Sequence, residues 1–214
     1  MAPPNNELSA VSGARERLSR FDLSPTEVHL ILQEAEAAWR NLFSSLAPRV
    51  APGIARWART VEVLRDIMAE KGWEPWRNGG MEGVVNRERR LVIVPMTGDQ
   101  GTGVANCTAR NRYPKGIHSE AVVIDNRRQA VFPFAGEGDP EALQLLEVWF
   151  LLFARVQGEL RCEVSLPTRM NQKVVVEWKE RILLPSVALD DDSGDDELED
   201  PGGDYSVEIA RRGS

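Results

Sequence analysis

The hydrophobic period of this chain changes once, near Gly72, and that change limits what it can fold into. Upstream, Val28, Ile31, Leu32, Ala35, Trp39, Leu42, Phe43 and Leu46 recur at helical spacing, as do Ile54, Trp57, Val61, Leu64 and Met68. Downstream, the apolar residues fall into short runs: Gly83-Val84-Val85, Arg90–Pro95, Val148–Arg155 and Glu159–Leu166. A chain that places its helices first and its strands afterwards does not wind a doubly wound parallel sheet. The expected fold is α+β, with two N-terminal antiparallel helices packed on a mainly antiparallel β-sheet.

Local signals set the boundaries. Ser24-Pro25-Thr26-Glu27 is a capping box with proline at the first helical position, so a helix is expected over 25–46. Pro48 and Pro52 interrupt the pattern, and a second helix follows over 53–71, with Gly72 as its C′ residue. The sheet is expected over about 83–185. Within it, Ser119–Asn126 fits a helix or a strand, Gln129–Phe134 reads as a short strand, and Asp139-Pro140-Glu141 starts a turn or two of helix. Val148–Arg155 is apolar on both faces, which predicts a central strand covered on both sides. Glu159–Leu166 alternates, with Leu160, Cys162, Val164 and Leu166 inward and Glu159, Arg161, Glu163 and Ser165 outward. Val174–Val176 and Arg181–Leu184 add one or two strands. Residues 1–23 are expected to be a flexible segment in which Ser9–Arg20 forms at most a frayed helix, and 24–189 a single domain.

The net charge of −7 is unevenly placed. Asp190 to Asp204 holds nine acidic residues and no basic ones, and without residues 190–214 the chain has 24 Lys+Arg against 23 Asp+Glu, a net of +1. So acidic a run cannot bury enough apolar area to offset its ordering entropy, and 190–214 is expected to be a disordered tail. Its end, Tyr205–Arg212, alternates like a strand and reads as a peptide for a protein partner or a sheet edge. No apolar run is long enough to span a membrane and the N-terminus lacks the parts of a signal peptide, so a cytoplasmic location is expected. Cys107 and Cys162 fit no metal motif and are expected as free thiols.

Chemistry concentrates at Met96–Gly116. The strand Leu91–Val94 runs into Gly98, Gly101 and Gly103, and Arg110, Arg112, Tyr113, Lys115 and His118 follow. The order G-x-x-G-x-G is neither a Walker A loop nor a dinucleotide fingerprint. What remains is a glycine turn whose N–H groups are expected to form an anion nest, with Arg110, Arg112 and Lys115 clamping phosphate, Tyr113 stacking on a base and His118 adding charge when protonated. The competing reading is an ordinary surface loop. Trp73 and Trp76 flank Glu74-Pro75 and are expected to serve the core, and His29, off the apolar stripe, to be solvated.

Four segments, G-D-Q-G-T-G (98–103), Y-P-K-G (113–116), V-S-L-P (164–167) and W-K-E-R-I-L-L-P (178–185), together resemble a group of bacterial proteins associated with plasmids and other mobile elements. The resemblance covers about 60–190. It implies a bacterial cytoplasmic setting and carries over no catalytic residue.

The expected function is that of a non-enzymatic accessory protein of a bacterial DNA-handling or mobile-element system. It would bind an anionic ligand or nucleic acid through 98–116 and a protein through its tail, with no cofactor. A pure protein-interaction module is one alternative. The other is a divalent-metal nuclease: Val174-Val175-Val176-Glu177-Trp178-Lys179 resembles the PD-(D/E)xK signature, with Glu163 and Glu177 as Mg²⁺ ligands and Lys179 beside the water.

Overall fold

Residues 13–18 are helical (α1) and pass through a 3-10 turn, Ser19–Phe21, in a computed structural model that describes residues 13–42, 46–48, 50–113, 117–131 and 146–189. Leu18 and Phe21 are wholly buried, and the Phe21 ring meets Trp149 edge-on with centroids 4.9 Å apart. The expectation of a flexible segment over 1–23 therefore fails from residue 13 onward. Ala14, Leu18, Phe21 and Leu23 all enter the core, although four apolar residues among charged neighbours make a thin signal in the sequence.

The capping box forms as read. The Ser24 N–H donates to Glu27 Oε2 at 2.8 Å and the Glu27 N–H to Ser24 Oγ at 3.3 Å, which starts α2 (Pro25–Leu42). The expected extension to 46 is not made: Leu46 lies in a turn and is exposed, and 43–45 lie outside the described residues. The next helix, α3 (Ala51–Ala69), starts two residues early because Pro52 sits in its first turn, where a missing N–H costs nothing. It stops in a Schellman arrangement. Gly72, at φ +78°, donates to Ala69 O and the Trp73 N–H to Met68 O, with Trp73 and Met68 both in the core.

Among the described residues the sheet has seven strands: β1 (Glu74–Asn78), β2 (Met81–Asn86), β3 (Leu91–Thr97), β4 (Glu147–Val156), β5 (Glu159–Asn171), β6 (Val174–Leu183) and β7 (Val187–Ala188). Their order is β1-β2-β3-β4-β5-β6, with β7 also on β5. Every pairing is antiparallel except β3 with β4. The parallel pair follows from a long crossover that carries the 98–113 loop and α4 (Ile117–Val131). The α+β class thus stands, and the ambiguous Ala121–Ile124 is helical. The strand expected over Gln129–Phe134 is corrected: 129–131 continue α4, and 132–134 lie outside the described residues. So do Asp139–Glu141 and the tail, 190–214.

β4 shows why the crossover matters. Trp149, Leu151 and Phe153 face a core shared with α1, α2 and α3, while Val148, Phe150 and Leu152 face a second core closed by α4 and Ala109. The sheet is therefore covered on both sides. Asn126 of α4 fixes the second layer: its side chain donates to Val148 O (2.8 Å) and Pro167 O (3.1 Å) and accepts the Val148 N–H (2.9 Å). Trp73 is in the core as expected, its indole N–H bonded to Asp22 Oδ2, and Trp76 packs against the second core. His29 is half-buried, with Nε2 2.9 Å from Pro185 O, and is not solvated as expected. Among the described residues no helix is long and apolar enough to cross a membrane.

Candidate functional site: a clasped loop and a cationic ledge

The 98–113 loop begins where β3 leaves the sheet. The Gly98 N–H donates to Phe153 O (2.8 Å), and Gly98 bridges Asn111, so the loop returns beside the strand it left. Asp99 ties the two arms together. Its N–H donates to Arg110 O (2.9 Å), and its Oδ1 accepts the N–H groups of Gly101 and Arg110, both at 3.0 Å. The Gly103 N–H donates to Glu163 Oε2 (2.8 Å) and the Arg112 N–H to Thr97 O (3.0 Å).

These bonds overturn the anion nest. The amides of Gly98, Gly101 and Gly103 are all spent inside the protein, so none is left to cradle a ligand. The glycines serve close packing instead. A Cβ on Gly98 would lie 2.0 Å from Thr102 Oγ1, and Gly103, at φ +73°, would set one 3.1 Å from Arg161 Cβ. The anion this loop holds is the protein's own Glu163 carboxylate.

Glu163 also corrects the reading of β5. Its side chain points away from the α1–α3 core, as alternation requires, yet it is 0% exposed because the loop covers that face. Its Oε1 accepts Ser165 Oγ (2.8 Å) and Arg181 Nε (2.9 Å), and its Oε2 accepts Gly103 and Arg181 Nη2. Arg181 reaches on to the carbonyls of Cys107 and Gly101. Beneath, burial together with the adjacent Glu163 charge pushes the Cys162 thiol up to about 12, so it stays protonated and inert. Both cysteines are free thiols.

The proposed nuclease triad does not assemble. Glu163 pairs in register with Leu183, six residues along β6 from Glu177, which is about 20 Å of strand. Glu177 is exposed and paired with Arg169 at 3.1 Å. Lys179 is exposed in a bulge, where the register steps from Pro167↔Trp178 to Leu166↔Glu180. Among the described residues no group of three His, Cys, Asp or Glu side chains could hold a metal ion.

The cations fare better. Asn111 is buried, and its Nδ2 donates to Tyr113 O and Lys173 O (3.1 Å) while its Oδ1 accepts the Val175 N–H (2.7 Å). In an extended segment, neighbours of an inward residue point outward together. Arg110 and Arg112 are both exposed on that outer side, and Asn111 draws the exposed Lys173, from the β5–β6 turn, to the same junction. Arg110, Arg112 and Lys173 face no carboxylate among the described residues. Elsewhere Arg17, Arg20, Arg65, Arg77, Arg87 and Arg89 each do. Tyr113 is half-buried with the Arg112 guanidinium 5.8 Å over its ring, which occupies a face that stacking on a base would use. His118 is exposed with its ring packed on Gly79 at the β1–β2 turn, and Lys115 lies outside the described residues.

Sequence reading missed Asn111, Lys173 and Arg181. The polar stretch Asn171-Gln172-Lys173 between apolar runs was the available sign of the turn; Gln172 and Lys173 both have positive φ there. No protein-family model, curated protein or solved structure matches this chain.

Proposed function

We propose that this chain is a non-enzymatic accessory protein that binds the phosphate backbone of nucleic acid through a ledge formed by Arg110, Arg112 and Lys173. The observation that carries the reading is that Arg110 and Arg112 flank the buried Asn111, whose side chain bonds the Lys173 backbone, and that these three exposed cations face no carboxylate among the described residues, where most other arginines do. A loop whose backbone is already tied down loses less conformational entropy on binding, so the ordering cost falls on the side chains. The resemblance at 98–103, 113–116, 164–167 and 178–185 to a group associated with mobile elements supports a bacterial cytoplasmic setting, and a DNA-handling role there and Tyr205–Arg212 as the peptide for a protein partner are part of the proposal.

The magnitude expected is modest. Three phosphate contacts give a salt slope of about −2.7, so affinity should fall about 40-fold between 50 and 200 mM salt. The test is titration of a fluorescein-labelled 20-mer duplex DNA across that range. Arg110→Ala with Arg112→Ala should cut the slope by about 1.8. Unchanged affinity and slope in that double variant rejects the ledge.

A further inference from the structure

We infer that Glu163 and Arg181 are positioning residues for the ledge: their ion pair, a buried carboxylate met by a half-buried guanidinium, is the clasp that holds the 98–113 loop on the sheet and so fixes where Arg110 and Arg112 stand. The inference rests on the ledge as the binding surface.

Three observations support it. First, the side-chain bonds of the pair that leave the sheet go to the loop, to Gly101, Gly103 and Cys107. Second, the loop's apolar contribution to the core beneath it is small, Ala109 from 98–113 being its member there. Hydrophobic burial is roughly proportional to apolar area, so one alanine cannot hold sixteen residues in place; polar tethers do, the pair holding the 101–107 arm while Trp178 Nε1 on Ala109 O (2.8 Å) and Asn111 on Val175 and Lys173 hold the returning arm. Third, the clasp is linked to the ledge by a short hydrogen-bonded path. Arg181 and Glu163 fix Gly101 and Gly103, Gly101 donates to Asp99 Oδ1, and that same oxygen accepts the Arg110 N–H.

The carboxylate is essential to this arrangement. Its two oxygens accept four donors, from Ser165, Gly103 and twice from Arg181. An amide in its place supplies one acceptor oxygen and turns an NH2 group toward N–H donors. Glu163→Gln keeps the volume and breaks the clasp.

The experiment uses the full chain and the 20-mer duplex. Hydrogen exchange reports the loop, and the salt slope counts the phosphates engaged, a quantity that a general loss of stability does not move while the protein remains folded. In Glu163→Gln, exchange at Gly103 and neighbouring loop amides should rise. Affinity should fall about tenfold and the slope by about 1.8, because loosened Arg110 and Arg112 no longer engage together. If Glu163→Gln does not fold, the double variant Glu163→Leu with Arg181→Leu removes the same tethers without stranding a charge, and the same two readouts apply. Faster exchange with unchanged affinity and slope overturns the positioning role and leaves the ledge standing. Unchanged exchange overturns the clasp itself. Indifference of binding to Arg110→Ala with Arg112→Ala, or no binding by the wild type, rejects the ledge and the inference with it.

Discussion

On one face of the sheet, α1, α2 and α3 bury Leu18, Phe21, Val28, Ile31 and Leu64 against Trp149, Leu151 and Phe153. On the other, beside α4, a loop is fastened by Glu163, Arg181, Asp99 and Asn111. The first cover is held by apolar area, which is additive and tolerant of direction. The second is held by directional bonds around a buried charge, where each partner matters because the others are stranded without it. The two faces should therefore fail differently. The helix face should weaken in proportion to what is removed, and the loop face should give way abruptly and recover when both partners go.

Arg181→Ala is the sharpest test. It leaves the buried Glu163 carboxyl without its guanidinium, at a cost of about 3–5 kcal/mol, or a drop of roughly 10 °C in a melting experiment. Glu163→Leu with Arg181→Leu should recover most of that loss while the loop amides still exchange fast. If the double variant melts as low as Arg181→Ala, the loop face depends on volume and not on charge, and the contrast breaks. Phe21→Ala probes the other face. It empties a fully buried site against Trp149 and should cost about 3 kcal/mol, with no second substitution restoring it. A loss under about 1 kcal/mol would mean that α1 only rests on the core.

The same contrast explains what could be read from the sequence. Periodicity is a record of apolar area, so α2, α3 and β4 were legible, with β4's two-sided cover visible in Val148–Arg155. The loop face leaves no periodic trace. Glu163 obeyed its alternation and pointed outward, but "outward" was under a loop, and nothing local told Glu163 apart from Glu159, which is only half-buried. The glycines are plain in the sequence but their purpose is not, because an internal carboxylate and an external phosphate ask for the same N–H groups. Arg110 and Arg112 could be placed on one side once a strand-like segment was assumed, whereas Lys173 joins them only through a side-chain bond from Asn111, sixty-two positions away.

A smaller effect lies at the helix face's entrance, where polar bonds also contribute. Burial opposes ionisation of Glu27, yet hydrogen bonds from Lys71 and Ser24 hold its carboxyl below the ordinary 4.5. A lowered value means stability that is present above 4.5 and lost as pH falls through the folded-state value. Glu27→Gln should cost about 1 kcal/mol at neutral pH. The gap between wild type and variant should close as the pH is taken below 4.5 in a urea titration series. A gap that stays constant with pH would assign the cost to packing and not to the capping charge.

The least effect is expected from removing residues 190–214, although that deletion moves the net charge from −7 to +1. The chain enters this segment from Leu189, whose N–H is bonded to Gly158 O at the β4–β5 turn. The ledge lies by the far end of β5, thirteen residues away, at most about 43 Å of strand. At 0.15 M salt the screening length is about 8 Å, so an acidic residue has to come within about that distance of Arg110 for its field to be felt there. Deletion should leave DNA affinity within about twofold there. At 0.01 M, where screening extends to about 30 Å, it should tighten binding several-fold. A tenfold gain already at 0.15 M cannot come through the solvent at long range and would require the acidic residues to lie on the ledge itself, which would make the tail a competitor for the proposed binding surface.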